Sequence, residues 1–166
     1  MTMRGTVNLL EVVLETLSTA DVRFCVIGKQ AVNVYVDPVQ SPDVDIALAN
    51  GEADRLEELF GSPVEIQRSS RTVDLSLPAS ELRIQFQTDP RYEDFPDRAE
   101  LRRVLGHEVP VAALEDVLQG KIWAAIDGTR RPSRREDDLT DISRLLEAYP
   151  ELRASVPPSV LDRLLG

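Results

Sequence analysis

The amino-acid sequence predicts an α/β or α+β domain, in which a small mixed β-sheet carries flanking helices. Short β-branched segments alternate with helical stretches over the first two thirds, and the last third is mostly helical in its apolar spacing. A chain of 166 residues has the size of one ordinary domain. We therefore expect one domain over 1–166, with a sheet-bearing core at about 20–110 and a C-terminal helical part at about 111–166.

The elements follow from local patterns of apolar spacing and turn residues. In chain order these patterns predict a helix over 8–17, strands over 22–27 and 44–49 with a helix at 30–36 between them, and a helix over 52–60. Three strands are predicted next, at 64–67, 72–77 and 82–88, then a helix over 95–105 and a short strand over 107–111. Helices over 114–126, 138–148 and 159–165 complete the chain. Asp37-Pro38 ends the second helix, because the residue before a proline disfavours the helical region.

Composition excludes several classes of protein and of site. The net charge of −10 argues against non-specific binding to nucleic acid, which needs a basic surface. No apolar run approaches the roughly 20 residues of a membrane span, so we expect no membrane partner and a cytoplasmic location. With one cysteine, Cys25, and one histidine, a zinc cluster is excluded. A bound metal would need oxygen ligands, as Mg²⁺ or Mn²⁺ does.

One short segment departs from the acidic character of the chain. Residues 129–136 read TRRPSRRE and place four arginines in a predicted loop between helices. Such a local positive field suits a triphosphate or an RNA end. The alternative is a solvated loop with no ligand, and the segment alone does not decide between the two.

The segment DVDIAL brings two carboxylates to one face of a strand. Asp43 and Asp45 alternate with Val44 and Ile46, so both point the same way and lie roughly 6 to 7 Å apart at the backbone. At that spacing their oxygens can converge on shared cations. Upstream, Gly28-Lys29 lies between a strand and a helix, where backbone N–H groups can hold a phosphate. Together the two features predict a site for a nucleotide and its metal.

A lysine and an aspartate on two later helices face inward. Lys121 lies in the middle of the apolar stripe of the 114–126 helix, where an ammonium is costly unless an anion meets it. Asp138 lies beside the apolar stripe of the next helix. The two are candidate partners near a buried polar site. Alternatively, Lys121 extends to solvent and Asp138 stabilises the N-terminus of its own helix.

These motifs resemble those of the nucleotidyltransferase superfamily, which has the DNA polymerase beta-like fold. The run VIGKQAVNVYVDPVQSPDVDIAL is similar to the family's glycine turn, short helix and hDhDh strand, where h is apolar. The run ALEDVLQGKIWAAIDGTRRPSRREDDLTDISRLL is similar to the lysine-bearing and aspartate-bearing helices of abortive-infection toxins of this superfamily and their small bacterial relatives. The two motifs cover roughly 22–48 and 114–146.

The resemblance implies a metal-dependent transfer of a nucleoside monophosphate from an NTP to an acceptor hydroxyl. Asp43 and Asp45 would hold Mg²⁺ or Mn²⁺, and Gly28 and Lys29 would lie by the triphosphate. The catalytic set would be completed by Lys121 and Asp138. The acceptor class is left open by the resemblance: RNA, a protein or a small molecule, with a partner protein where the relative is one half of a toxin–antitoxin pair.

The chain departs from the family pattern at two positions. Lys29 stands where a second small residue is usual, and Gln85 stands at the polar-face position that matches a third carboxylate on a neighbouring strand. An amide is a weak ligand and no base. Asp74, on the polar face of the 72–77 strand, is the candidate substitute as a metal ligand, with Gln85 left to contact the nucleotide. Two functional classes therefore stay open: an active enzyme, and a degenerate relative that binds a nucleotide or a protein. A structural α/β domain without a site is a third and weaker alternative.

Overall fold

In the computed structural model of the chain, residues 8–165 are described, and they form seven strands and seven α-helices. The helices are α1 (Leu9–Thr19), α2 (Gly28–Tyr35), α3 (Leu56–Leu59), α4 (Phe95–Arg98), α5 (Leu114–Ile126), α6 (Pro132–Ala148) and α7 (Pro158–Leu165). The strands are β1 (Phe24–Ile27), β2 (Asp43–Leu48), β3 (Glu65–Arg68), β4 (Thr72–Ser76), β5 (Arg83–Gln87), β6 (Glu100–Val104) and β7 (His107–Val111).

All seven strands belong to one mixed sheet, in the order β3-β4-β5-β2-β1-β7-β6. The pairs β2–β5 and β1–β7 are parallel, and the other four pairs are antiparallel. The predicted fold class, a mixed sheet with flanking helices, is confirmed. Strand β2 is the central strand of the sheet, and α2 joins it to its neighbour β1. The segment with the glycine turn and the two aspartates therefore lies at the middle of the sheet.

The register of β2, β5 and β4 separates an apolar face from a polar one. Val44 and Ile46 lie in register with Ile84 and Phe86, and all four are completely buried. Phe60, just after α3, covers this face and packs on Phe86 with ring centroids 6.3 Å apart. Because side chains alternate along a strand, the residues between them form a polar row on the opposite face. That row carries the candidate site.

The helix predicted over 95–105 is wrong for most of its length. The helix predicted over 95–105 ends at Arg98, and Glu100–Val104 is the edge strand β6. A two-residue hairpin joins β6 to β7, with positive φ at both Leu105 (49°) and Gly106 (86°). Two consecutive positive φ angles match the twist of paired strands. Leucine, arginine and glutamate are good helix formers, and this local preference was overridden by the pairing with β7.

The arginine-rich segment 129–136, predicted as a loop, is a loop only over 129–131. Helix α6 begins at Pro132, six residues earlier than predicted, so Arg134 and Arg135 lie in its first turn. Proline is favourable at the first helical position because that residue's N–H has no partner within the helix. The predicted helix at 52–60 is also divided, into a 3₁₀ turn at Ala53–Arg55 and the short helix α3.

A completely buried carboxylate on α6 ties three helices together. Asp141 contacts the ammonium of Lys29 on α2 at 2.8 Å, that of Lys121 on α5 at 2.9 Å and the guanidinium of Arg144 at 2.8 Å. Burial raises the pKa of Asp141, but Lys121 and Lys29 outweigh that effect and hold the pKa below its ordinary value. The carboxylate is therefore charged at neutral pH, and α2, α5 and α6 are held by one anion.

We predict that Asp141→Asn lowers the free energy of unfolding by about 3 to 5 kcal/mol, because it leaves buried cations without their anion. Asp137→Asn is the matched control: Asp137 contacts the same Lys29 at 3.4 Å, but its side chain is 53% exposed. We expect that control to change stability by about 0.5 kcal/mol or less. Urea denaturation followed by circular dichroism measures both, and equal losses would contradict this role for Asp141.

Candidate active site

The glycine that follows β1 and begins α2 lies directly against a carboxylate of β2. Gly28 has a φ of +69°, a conformation that side chains disfavour, and a Cβ built on it would lie 2.3 Å from Oδ2 of Asp45. Ile27 is the register partner of Asp45, so the antiparallel pairing of β1 and β2 imposes this approach. The sequence thus needs glycine here for two reasons, the backbone conformation and the space for Asp45.

Asp45 faces an inner cavity of about 60 Å³, which is walled by Gln85, Lys121, Arg130 and Asp138 among others. No group of residues 8–165 donates a hydrogen bond to its carboxylate. Burial raises the pKa of Asp45 to about 6, although Lys121 lowers it in part. The inner cavity holds on the order of two water molecules and is too small for a nucleotide as it stands.

Asp43, two residues earlier on the same face, has arginine partners. Its Oδ1 accepts a hydrogen bond from Nε of Arg83 at 3.0 Å, and its Oδ2 lies 3.7 Å from Nη1 of Arg134. Arg83 is its register partner on β5. The two aspartates therefore differ: Asp45 is unpaired and turned inward, whereas Asp43 is partly exposed and compensated by two arginines.

Lys121 and Asp138 are both buried and lie in contact. The Lys121 ammonium donates to Oδ1 of Asp138 at 3.2 Å, and Arg130 donates to Oδ2 of the same carboxylate at 2.7 Å. Burial lowers the pKa of Lys121, but Asp141 and Asp138 outweigh it and raise the pKa above the ordinary value. Lys121 thus remains charged beside Asp45, and the catalytic roles of Lys121 and Asp138 remain predictions.

The other predicted site residues lie nearby, but not all face the aspartates. The Lys29 ammonium is held by Asp141 and Asp137. Gln85 is the register partner of Asp45, which places an amide where the resemblance expects a third acid. Asp74 lies one strand further out, roughly 10 Å from β2 at 4.8 Å per strand, and its Oδ1 accepts from Nε2 of Gln85 at 2.9 Å. Asp74 as a metal ligand stays a prediction.

The carboxylates of the site suit a divalent metal only together with ligands from a bound nucleotide. Within the described range 8–165, no three acidic, histidine or cysteine side chains are close enough to hold a metal by themselves. Mg²⁺ is usually held by one or two carboxylates together with substrate phosphates and water, and Asp43 with Asp45 suits that arrangement. The residues therefore fit a metal that arrives with a nucleotide.

Several charged residues of the site were missed at the sequence level. Asp141 follows Asp138 by three residues and precedes the buried Ile142, so its position on the inner stripe of α6 was available as a signal. Arg130 and Arg134 were predicted only as members of an arginine-rich loop, without partners in the site. Arg83 gave no signal, because its contact with Asp43 depends on the parallel pairing of β2 and β5.

An outer cavity of about 290 Å³ adjoins the inner one. The two share Gln85, Gln87, Tyr92, Ala124 and Arg130 as lining residues. The outer cavity adds the 69–72 turn, Trp123 and the 127–129 turn. Arg91 lies over the Trp123 ring at 4.6 Å from its centroid. Asp45 therefore lies in an inner cavity that adjoins a larger polar cavity near the C-terminal end of β5.

Comparison with solved structures gives matches over most of the chain. The antibiotic-resistance factor ANT(2'')-Ia, in complex with adenylyl-2''-tobramycin, aligns with a TM-score of 0.57 at 11% identity, over 89% of this chain and 96% of its own. The lincosamide antibiotic adenylyltransferase LnuA, bound to lincomycin, aligns at 0.50 and 13% identity, over 82% and 95% of the two chains. This chain has the nucleotidyltransferase fold.

A third structure, an antigenic nucleotidyltransferase-like protein from Paracoccidioides brasiliensis, has a TM-score of 0.53 at 16% identity, over 84% of this chain and 74% of its own. No protein-family model and no curated protein matches the sequence. Within residues 8–165 no helix is long and apolar enough to cross a membrane. The recognition of a nucleotidyltransferase fold from the glycine turn and the two aspartates is confirmed.

We predict that Gly28→Ala costs more stability than Gly51→Ala. Both glycines have positive φ, so both variants lose about 1 to 2 kcal/mol to backbone strain, but the space around Gly51 is open. The Cβ of Gly28→Ala must also displace Asp45, which adds roughly 1 to 3 kcal/mol. Urea denaturation of the two variants measures the difference, and equal losses would show that Asp45 does not lie against this glycine.

We also predict that Asp45→Asn stabilises the fold above pH 6. The pKa of Asp45 is raised from 3.8 to about 6 on folding, so its ionisation opposes folding: stability falls as pH rises from about 4 to 6. The neutral amide avoids this loss, on the order of 2 to 3 kcal/mol at pH 7. Denaturation at pH 4 to 7 should show the two curves diverging, while exposed Asp162→Asn follows the native curve. A constant difference at every pH would contradict the assignment.

Proposed function

We propose that the chain is a nucleotidyltransferase that transfers a nucleoside monophosphate from an NTP to a hydroxyl group of an acceptor, with Mg²⁺ or Mn²⁺ held by Asp43 and Asp45. One observation carries the proposal: the unpaired carboxylate of Asp45 lies against Gly28 at the start of α2, in a cavity that also contains the ammonium of Lys121. An anion kept unpaired beside a phosphate-suited backbone turn is the arrangement that a metal-bound nucleotide needs.

The side chains of the site have separable tasks in this reaction. The bound metal would supply charge neutralisation on the phosphates. Gly28 leaves the start of α2 open to a phosphate, and Lys29 reaches one by exchanging Asp141 or Asp137 for it. Lys121 and Arg130 place positive charge beside Asp45 and would stabilise the negative charge that develops on the phosphoryl group.

The transfer balances without a further reactant. The acceptor oxygen forms a bond to the α-phosphorus, and the bond from that phosphorus to the bridging oxygen of the β-phosphate breaks. Pyrophosphate leaves, and the hydroxyl proton passes to water. Gln85 cannot take that proton, because an amide is not a base at neutral pH.

Among the acceptor classes, RNA, protein and small molecule, we favour a small molecule. ANT(2'')-Ia and LnuA were solved with adenylyl-2''-tobramycin and lincomycin, both small molecules. The outer cavity beside Asp45, at about 290 Å³, is near the lower end of the range of pockets that hold small ligands.

A second candidate function is a degenerate member that binds a nucleotide or a protein without turnover, for instance as one component of a toxin–antitoxin pair. Two observations favour it. Gln85 occupies the register position beside Asp45 where an acid is expected, and Asp43 is already paired with Arg83 at 3.0 Å. An arginine on the first aspartate competes with a metal for the same oxygens.

The first test is thermal denaturation with each of the four NTPs, with and without Mg²⁺ or Mn²⁺. A nucleotide at 100 times its Kd should stabilise the native chain by about 2.7 kcal/mol, and only with metal. Asp43→Asn/Asp45→Asn should lose this shift, while the exposed pair Asp54→Asn/Asp162→Asn keeps it. Each shift is taken relative to its own protein without ligand, because Asp45→Asn alters the starting stability.

The outcomes separate the two candidates. A metal-dependent shift with pyrophosphate release on addition of acceptor supports the enzyme. The same shift without release, and release gained by Gln85→Glu, supports the degenerate member. An absence of any shift with all four nucleotides would reject the nucleotide site itself.

A further inference from the structure

The outer cavity lies on the opposite side of Asp45 from the proposed triphosphate position. Strand β2 runs from Asp43 through Asp45 toward Leu48. Ile27 of β1 pairs with Asp45, and because the two strands are antiparallel, the next residue, Gly28, lies toward the Asp43 end of β2. Gln87, in contrast, pairs with Ala47 beyond Asp45 and lines the outer cavity. If the nucleotide occupies the Gly28 side, as in the proposed function on which this inference rests, the outer cavity is left for the acceptor.

Two glutamines of β5 offer opposite polar atoms to the shared wall of the two cavities. Nε2 of Gln85 donates to Asp74 at 2.9 Å, and because an ionised carboxylate only accepts, the amide is oriented with its oxygen left over. Oε1 of Gln87 accepts from the backbone N–H of Asp89 at 3.2 Å, which leaves its NH₂ group. Within residues 8–165 neither remaining atom has a hydrogen-bond partner. The pair therefore presents an acceptor and a donor roughly 6 to 7 Å apart.

A hydroxyl group suits this pair, because it both donates and accepts. It can donate to Oε1 of Gln85, next to Asp45, where a hydroxyl must lie in order to attack the nucleotide. A second oxygen of the same molecule can accept from Gln87. A ligand with several hydroxyl groups satisfies both amides at once, whereas an apolar ligand would leave them buried and unpaired, which costs binding energy.

The charged side chains of the outer cavity add a second selectivity. Both of its carboxylates are occupied: Asp89 accepts from Arg91 at 2.9 Å, and Asp127 accepts from Thr129 at 2.7 Å. Arg71 is different. Its guanidinium makes only two longer ion pairs, 3.9 Å from Asp89 and 3.7 Å from Asp127, and no acceptor in the described part of the chain lies within hydrogen-bond distance of its N–H groups.

We propose that the outer cavity is the acceptor site and that it takes a small molecule with both hydroxyl groups and an anionic group, of the sugar-phosphate class. A hydroxyl of this molecule lies at Gln85, a neighbouring oxygen at Gln87, and its anionic group at Arg71. Asp74 acts as a positioning residue, since its carboxylate fixes which atom Gln85 presents.

The same arrangement disfavours polycationic acceptors. A polyamine entering the outer cavity would meet Arg71, Arg91 and Arg130, and the two carboxylates available to it are already engaged. Desolvated like charges oppose binding strongly. In this respect the chain differs from a neighbour solved with an adenylylated tobramycin, although the fold is the same.

The test measures binding to the full chain by calorimetry, with glucose 6-phosphate as the probe. Glucose, inorganic phosphate and spermidine are the comparison ligands. We expect glucose 6-phosphate to bind most tightly and spermidine not at all. Arg71→Gln should weaken glucose 6-phosphate binding about 10- to 100-fold, and Gln87→Met about 3- to 10-fold, as expected for one charged and one neutral hydrogen bond. Arg68→Gln, outside the cavity, should leave the affinity unchanged.

A second readout is the ¹⁵N spectrum of the side-chain amides. Added glucose 6-phosphate should shift the Gln87 NH₂ resonances, and Asp74→Ala should reduce its affinity without removing the fold. The inference is overturned if spermidine binds more tightly than glucose 6-phosphate, if no probe binds, or if Arg71→Gln and Arg68→Gln behave alike. Competition between glucose 6-phosphate and an NTP would also overturn it, by showing that the outer cavity is the nucleotide site.

These results are separable from those for the proposed function. Loss of NTP binding in Asp43→Asn/Asp45→Asn with glucose 6-phosphate binding unchanged is the expected pattern. If no NTP binds at all while the Arg71-dependent binding of glucose 6-phosphate persists, the proposed transfer fails and the outer cavity remains a site for hydroxylated anions.

Discussion

The buried carboxylate of Asp141 is the interaction on which the arrangement of the site depends. It holds Lys29 at the start of α2 and Lys121 in the middle of α5, while Arg144 accompanies it on α6. The three cations around Asp141 are also met by other carboxylates, because Lys121 contacts Asp138 and lies near Asp45. The base of the site is consequently close to charge balance, although the whole chain carries a net charge of −10.

The position of Asp45 follows from that base and from the sheet. The register sets its carboxylate against Gly28, and the docking of α5 and α6 encloses it beside Lys121. A carboxylate enclosed in this way, with no hydrogen-bond donor from residues 8–165, is costly to the fold. Unfavourable groups of this kind are typical of functional sites, where a ligand later satisfies them.

Sequence patterns were sufficient for the parts of the fold that depend on local periodicity. The alternation in DVDIAL gave the faces of β2, and the apolar stripe of α5 gave the inward direction of Lys121. The patterns failed where pairing overrides propensity, as in β6, whose leucine and arginines favour a helix in isolation. They also gave no account of Arg83, Arg71 or the orientation of the Gln85 amide, since these depend on which strands become neighbours. Fold class is thus more readable than site chemistry in this chain.

The ion pair between Lys29 and Asp141 joins residues 112 positions apart. Contacts of such long sequence separation form late in folding, because the entropy of closing a long loop must be overcome before they contribute. During synthesis, therefore, a chain that has exposed Asp43 and Asp45 still lacks the helix that encloses them. The aspartates become a site only once nearly the entire polypeptide has been made, so an incomplete chain has the acidic motif without the chemistry.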